Sequence, residues 1–293
     1  MQDHTHNEST PFIHVDTVDN FYQASAFIPM SFALVTTVHE NGETSIGPHA
    51  LIFPFSVTSP HSMMLISRNN SGTAHNIRRT SKCSLNYIEF DRNKLQGISN
   101  MGVPGMSFDE KLKANPYTLI DSPSPEKATD PDAPKVIEEA FQVIECTWHD
   151  SFDLHKRCDD RGQPYDGHFN LLIDNILVKD AYASGLAAGS TFPNMPVFCG
   201  FRENRQFWFA DTKPPIPVEL PEIKGAEWQS VYYLANRIDN NVQFTEEACK
   251  QLTGIPSPFI KQALTKIIEN AKDENISMVD AQWLTSQNNR SIK

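Results

Sequence analysis

Residues 31–49 decide the fold and read Ser-Phe-Ala-Leu-Val-Thr-Thr-Val-His-Glu-Asn-Gly-Glu-Thr-Ser-Ile-Gly-Pro-His. The first nine of them are rich in β-branched and aromatic side chains, which favour a strand. Asn41-Gly42 comes soon after, and both residue types tolerate the positive φ of a tight hairpin turn. We therefore predict a strand over Ser31–His39 and a returning strand over Glu43–Gly47.

Strand patterns of the same kind recur along the first two thirds of the chain. We predict further strands over Phe53–Ser59, Ser62–Arg68, Cys83–Glu89, Ala140–Trp148 and His168–Val178, and a hairpin over Phe198–Phe209 turning near Glu203–Arg205. Thr73–Thr80 has helical spacing. Residues 91–134 are irregular apart from a helix over Ser107–Ala114, which Ser107 and Glu110 open with a capping box.

A proline-rich stretch, Lys213–Pro221, separates this part from the C-terminal residues because it cannot continue a sheet. Beyond it we predict helices only: Glu246–Leu252, one that begins at Ser257-Pro258, and one capped near Ser277 and Asp280. The chain is thus predicted to be mainly β (α+β), with a barrel domain over 1–212, a linker over 213–222 and a small helical domain over 223–293.

Composition excludes several classes of function. The 293 residues carry a formal net charge of −11, which disfavours binding to nucleic acid. No apolar run approaches the roughly 20 residues that span a bilayer, and the polar first ten residues do not resemble a secretory signal. The five cysteines are scattered without a Cys-x-x-Cys pair, which favours reduced thiols in a cytoplasmic protein.

Several polar residues could together form an anion site. Arg68 ends a predicted strand, where its guanidinium could bind a phosphate with two parallel hydrogen bonds. Thr73 and Asn76 open a predicted helix, whose free N–H groups favour an anion. Gly47 and Pro48 would let the backbone approach a flat ring closely. Each feature alone also fits a structural role, a solvated arginine or a simple helix cap.

The order of these motifs resembles the flavin reductase-like family of FMN-binding split β-barrels. The matching motifs are Leu34-Val-Thr-Thr37, Asn41-Gly42, Ser45-Ile-Gly-Pro48, Ser67-Arg68, Thr73-Ala-His-Asn-Ile77, Ser84-Leu-Asn86, Pro134-Lys-Val-Ile-Glu-Glu-Ala140 and Ile144-Glu-Cys146. The likeness covers about Pro29 to Ala183. It implies an FMN-binding split β-barrel with a small C-terminal helical domain.

The resemblance also implies a set of site residues and partners. The residues that would bind FMN are Thr37, Ser45, Ile46, Gly47, Pro48, His49, Ala50, Leu51, Ser67, Arg68, Thr73 and Asn76. His168 would be the catalytic residue, holding the nicotinamide of NADH or NADPH or a proton beside the flavin; a half-buried structural histidine is the alternative. The family resemblance further implies a homodimer and NAD(P)H-dependent flavin reduction.

Two other functions remain open. Ala50 and Ser59-Pro60-His61 depart from the family's ring contacts, which leaves a non-catalytic flavin-binding or partner-docking protein as an alternative. The polar loop with His149, Asp150, Asp153, His155, Cys158-Asp-Asp160 and His168 has metal-binding residue types, but its spacing matches no compact ligand motif. We interpret it as a charged surface loop, so no metal site is predicted and a metal-dependent hydrolase is the least favoured function.

The C-terminal residues resemble a small helical module that ends a subunit of light-independent protochlorophyllide reductase. The matching residues are Thr245-Glu-Glu-Ala248, Leu252, Ile255-Pro256, Phe259-Ile-Lys261, Glu269-Asn-Ala271 and Ile276-Ser277. The resemblance implies a docking or packing role, in which the helical domain could bind a redox partner protein, and not chlorophyll chemistry. An ordinary amphipathic helical appendage fits the same residues.

Overall fold

A computed structural model describes residues 12–103, 105–150, 158–202, 206–218 and 227–290. The chain divides into two compact units, Met1–Pro215 and Ile216–Lys293, which we call the barrel unit and the helical unit. Among the helices of the described residues, none combines the length and the apolar content that a bilayer-spanning segment requires.

The barrel unit consists mainly of strands. They are β1 (Met30–Ser31), β2 (Ala33–Val38), β3 (Thr44–His49), β4 (Ile52–Ser56), β5 (Ser62–Arg68), β6 (Lys82–Tyr87), β7 (Leu119–Ile120), β8 (Val136–Ile137), β9 (Gln142–Trp148), β10 (Asp166–Val178), β11 (Pro196–Arg202) and β12 (Gln206–Asp211). The helices between them are α1 (Phe21–Ala24), α2 (Gly72–Thr80), α3 (Leu95–Met101), α4 (Phe108–Ala114), α5 (Pro125–Ala128) and α6 (Asp180–Ala188).

A seven-stranded antiparallel sheet in the order β3-β2-β6-β9-β10-β5-β4 forms the curled half-barrel. The predicted hairpin is present: Val38 pairs with Thr44 and Ala33 with His49, and Gly42 takes φ of 85° in the turn. This positive φ is where a glycine costs least. A second sheet has the order β1-β11-β12.

The strand β2, which lies next to the edge strand β3, is buried on both faces, so both sides of the sheet are covered there. Its six residues, including Thr36 and Thr37, are all buried. Val35 packs with Leu85, Ile144 and Leu171 in one apolar cluster. Leu34, one residue earlier and on the opposite face, belongs to a second cluster that includes Ile98 and Phe198. Successive side chains of a strand point to opposite faces, so β2 joins two cores.

The helical unit has its own apolar core, built by α7 (Glu227–Ile238), α8 (Glu246–Leu252), α9 (Ser257–Asp273) and α10 (Ala281–Arg290). Ala235, Leu264 and Val279 are fully buried in it. The prediction of helices only was wrong here. A short parallel pair, β13 (Gln243–Phe244) and β14 (Met278–Val279), joins the chain segments around α8 and α9.

Several local predictions are also corrected. The fourth strand is Ile52–Ser56 and not Phe53–Ser59. Residues 91–134 are less irregular than predicted, since they contain α3, α5 and the pair β7-β8 besides the capped helix α4. The capped helix predicted near Ser277 and Asp280 is α10, and the Asp280 carboxylate accepts a hydrogen bond from the Trp283 N–H at 2.7 Å. Residues 203–205, the predicted hairpin turn, lie outside the described residues.

The mainly β fold class, a half-barrel with a small helical unit, is confirmed. The strands of the half-barrel were predicted because the sequence of each either alternates apolar and polar residues or forms a short apolar run. The missed elements are short or depend on tertiary packing, which local patterns do not report.

Candidate functional site

A cavity of about 920 Å³ lies within the barrel unit and is the setting of most predicted site residues. Its volume is near the upper end of the roughly 300–1,000 Å³ found for small-molecule sites. The seven-stranded sheet, α2 and α3 contribute Pro48, His49, Ala50, Leu51, Ile66, Ser67, Arg68, Ser71, Ile98, Ser99, Gly102, Asp166 and His168. The remaining lining comes from α1 and its flanks and from the three-stranded sheet.

The polar end of the cavity is built where β5 runs into α2. Arg68 is the last residue of β5 and is exposed to the cavity. Ser67 Oγ lies 2.8 Å from Ser71 Oγ, and the Ser71 side chain accepts a hydrogen bond from the Ala74 N–H at 3.0 Å. Ser71 therefore caps the nine-residue α2. A guanidinium beside a helix N-terminus is an arrangement suited to an anion such as a phosphate.

His49 connects this end to β3. Its Nε2 lies 3.0 Å from Thr73 Oγ1, in the first turn of α2. A Cβ on Gly47 would lie 2.8 Å from the same Thr73 Oγ1, so only glycine leaves room for this contact. Burial, with the nearby cations Lys111 and Arg68, lowers the pKa of His49 from its ordinary 6.5 to about 4. The imidazole is therefore neutral at neutral pH.

This pKa predicts a loss of stability in acid. Between pH 6.5 and 4 the unfolded chain protonates His49 and the folded chain does not, so the free energy of unfolding falls as the pH falls through that window. The loss should be about 2 kcal/mol for a half-buried group. Urea unfolding of the wild type and of His49→Gln at pH 7 and pH 4.5, followed by hydrogen exchange of the β2 and β3 amides so that it reports on the barrel unit, measures it. Equal losses in the two proteins would contradict the assignment.

Lys111, in a recess that Ser45 and Ile46 also line, is a second cation that the sequence analysis missed. It lies in α4, is half-buried and lines a small recess with Ser45, Ile46 and Phe108. Burial, with the charge of Arg68 second, lowers the pKa of the Lys111 ammonium. In the described part of the chain, neither Arg68 nor Lys111 lies within ion-pair distance of a carboxylate. The sequence marked α4 only as a capped helix, and no local signal connects it to Arg68.

Two of the residues proposed for FMN binding are hydrogen-bonded to each other instead. Asn76 Nδ2 donates a hydrogen bond to Thr37 Oγ1 at 3.0 Å, and both side chains are buried. This pair holds α2 against β2. Ser45 and Ile46 line the recess beside Lys111 rather than the large cavity. The structure therefore brings Pro48, His49, Ala50, Leu51, Ser67 and Arg68 together around the cavity, with Gly47 and Thr73 supporting His49.

His168 lies on the cavity wall formed by β10. It pairs in register with Ile66, two residues from the pairing of Asp166 with Arg68. Alternate residues of a strand share a face, so Asp166 and His168 point to the same side as Ile66 and Arg68. All four line the cavity.

The polar loop from His149 to His168, considered above as a metal site, lies partly outside the described residues. Among the residues that are described, no three metal-ligating side chains form a cluster.

The aromatic wall of the cavity was not predicted. We define it as Phe32, Phe198, Phe207 and Phe209, from β11, β12 and the residue between β1 and β2. Phe198 is 5.6 Å from both Phe207 and Phe209, and Phe32 is 5.6 Å from Phe209, measured between ring centroids. The aromatic run Phe207-Trp208-Phe209 favours a strand, but it does not show which side of that strand faces a cavity. Local sequence patterns could not predict that β12 packs beside the cavity, because it follows β3 by about 160 residues.

Solved structures are similar to this chain. Component B of nitrilotriacetate monooxygenase from Bacillus cereus is 14% identical, with a TM-score of 0.53, covering 72% of this chain and 100% of its own. Flavoredoxin from Methanosarcina acetivorans is 12% identical, with a TM-score of 0.49, covering 74% and 98%. The 2-nitrobenzoate 2-nitroreductase of Pseudomonas fluorescens is 14% identical, with a TM-score of 0.49, covering 67% and 87%.

The sequence comparisons give a different result, since no family model and no curated protein matches the chain. The likeness is thus one of structure at low identity, and with the Bacillus cereus protein it extends over that protein's full length. The chain has the split-barrel fold of nitrilotriacetate monooxygenase component B, extended here by a separate helical unit.

Proposed function

We propose that this protein binds FMN and catalyses NAD(P)H-dependent reduction of flavin. The observation that carries the proposal is the polar end of the cavity. Arg68 lines the cavity together with Ser71, which caps α2, and Lys111 lines the adjoining recess, where the charge of Arg68 helps to lower its pKa. Neither cation is ion-paired among the described residues. One cation beside a helix N-terminus, with a second in the adjoining recess, fits a dianionic phosphomonoester, which is the phosphate of FMN.

The rest of the cavity fits the flavin's other parts. Pro48 lies in β3, and Ala50 and Leu51 follow the end of that strand. These three residues would contact the edge of the flavin ring, and Ile66 would supply apolar surface. Buried apolar walls with a few placed polar groups are typical of cofactor sites. Bound flavin would supply the hydride chemistry, and the protein would supply binding and orientation. His168 would hold the nicotinamide or a proton at the centre of the cavity.

Spectra and turnover test the proposal. The purified protein should be yellow or become so with FMN, and FMN should raise its melting temperature. It should then consume NADH or NADPH when free FMN is added. Comparing the two donors decides which nicotinamide is used. A colourless protein whose melting temperature FMN does not change would contradict both FMN binding and flavin reduction.

The alternative, a flavin-binding or partner-docking protein without turnover, rests on the helical unit. Tyr232, Tyr233 and Phe259 of that unit are exposed, and it has a core of its own. Exposed aromatic residues are common at docking surfaces. We propose that this surface docks a redox partner. A protein that binds FMN but consumes neither NADH nor NADPH would favour the docking function over the reductase.

We also propose that the protein is a cytoplasmic homodimer. The edge strand β4 and the residues after it expose Phe53, Phe55 and Val57, an apolar row that a second copy would cover. Cys83 and Cys146 lie opposite each other on β6 and β9 as unbridged thiols, as expected in a reducing compartment. Light scattering on the wild type and Phe55→Asp tests the dimer. A monomeric wild type would contradict it.

A further inference from the structure

The aromatic wall offers a surface that the phosphate-binding end does not use. Phe207 is 39% exposed although it lines the cavity, and it packs at 5.6 Å against the buried Phe198. A half-exposed ring fixed by a buried one is a preformed platform for a flat ligand, because aromatic rings gain from offset stacking and edge contacts. The wall comes from a different sheet than Arg68 and His168. One cavity is therefore bounded by two chemically different walls.

The charges of the cavity indicate which ligands the platform accepts. Among the described residues that line it, Arg68 is the cationic one and Asp166 the anionic one, and His49 is neutral. Asp166 pairs with Arg68 across β10 and β5, so both charges lie at the phosphate end, whereas the aromatic wall consists of four uncharged phenyl rings. Moving a charged group from water onto an apolar wall is costly, whereas an uncharged ring gains from the contact. The platform should therefore select an uncharged aromatic ligand.

We propose that the aromatic wall binds a further acceptor that takes electrons from the reduced flavin, and that this acceptor is an uncharged planar aromatic compound of the quinone class. The inference rests on the proposed function, which supplies NAD(P)H as the donor. The overall reaction is balanced: NAD(P)H, one proton and a quinone give NAD(P)⁺ and a hydroquinone. The donor loses two electrons, and the two quinone oxygens each gain a hydrogen.

Binding of 1,4-naphthoquinone tests the wall directly. We expect Phe207→Ala to weaken it about 10-fold and Phe207→Leu, which keeps an apolar side chain, about 3-fold, as measured by calorimetry. Trp208→Ala is the matched control. Trp208 is the next residue of β12, is 49% exposed and does not line the cavity. Its removal should leave the affinity unchanged.

Turnover provides the second measurement. With NADH as the donor, Phe207→Leu should raise the KM for naphthoquinone but not the KM for ferricyanide, which is anionic and not planar. A rise in the KM for NADH with none for naphthoquinone would overturn the inference, because the wall would then hold the nicotinamide. A weaker affinity for FMN with unchanged naphthoquinone binding would overturn it too.

Failure of the proposed function is separable from failure of this inference. If the wild type does not bind FMN, the proposed function fails, and naphthoquinone titrated into the flavin-free protein still shows whether the wall binds it. If the wild type binds FMN and reduces it, but naphthoquinone binds equally to wild type and Phe207→Ala, the inference alone is overturned.

Discussion

Replacing Arg68 with methionine should weaken FMN binding about 100-fold, because two charge-assisted hydrogen bonds to the phosphate are lost. Methionine keeps the apolar stem that packs along the cavity and removes the charge. Riboflavin lacks the phosphate, so its affinity should stay within a factor of about two. Fluorescence titration of both flavins against wild type and variant measures the two changes.

A smaller loss of FMN affinity is expected when Lys111 is replaced. Lys111→Met should weaken FMN binding about 10-fold and leave riboflavin binding unchanged, since an ammonium acts as a point charge without the guanidinium's fork. Lys113 is the matched control because it lies on the same helix, α4, and is exposed. Lys113→Met should have no effect. Because Arg68 and Lys111 would bind one anion, their effects should not add in the double variant.

Two outcomes would contradict this phosphate site. Equal losses for FMN and riboflavin would mean that Arg68 supports the barrel rather than the phosphate. Unchanged FMN affinity in both single variants would mean that the phosphate binds elsewhere. The result also indicates which flavin the site prefers. A site that binds a dianionic phosphomonoester should bind FMN more tightly than FAD, which carries a pyrophosphate instead.

The sequence was most informative where structure is local. The hairpin from Ala33 to His49 was predicted because the side chains of β2 and the Asn41-Gly42 turn specify it without help from the rest of the chain. The capping box of α4 was also predicted from local sequence, and both of its hydrogen bonds are present. Where the resemblance identified Arg68 and Ser67, the structure places both at the cavity.

Prediction failed where distant segments meet. Lys111 is 43 residues from Arg68, and the charge of Arg68 lowers the pKa of Lys111 only because α4 packs on β3. Thr37 and Asn76 match the family motif, yet their side chains hydrogen-bond each other in the interior. A motif fixes which residues are present, but tertiary packing fixes which of them still have a donor or acceptor to offer a ligand.

The buried carboxylate of Glu145 carries the second large prediction, on stability. Glu145 lies on β9 and is 2% exposed. Its carboxylate accepts hydrogen bonds from Ser122 Oγ, from Ser124 Oγ at 2.7 Å and from Asn175 Nδ2 at 2.9 Å. In the described part of the chain it has no cation within ion-pair distance. Three neutral donors therefore hold one acidic side chain, and it ties the residues before α5 to β9 and β10.

Glu145→Ala should lower the free energy of unfolding of the barrel unit by about 3–5 kcal/mol. The change leaves three donors without their acceptor, each costing about 1–3 kcal/mol if it finds no water, and it opens a cavity as well. Glu145→Gln keeps the shape and one acceptor oxygen, and Ser hydroxyls can rotate to accept from its amide. It should therefore cost only about 1–2 kcal/mol.

The measurement must report on the barrel unit alone, because a chain with two compact units need not unfold in one step. Native-state hydrogen exchange at the amides of β9 and β10 does so, with the amides of α9 in the helical unit as the internal reference. We expect faster exchange in the two strands of Glu145→Ala and unchanged exchange in α9. If the strand amides of Glu145→Ala open within about 1 kcal/mol of the wild type, the carboxylate does not hold the barrel together, and its burial would need another explanation.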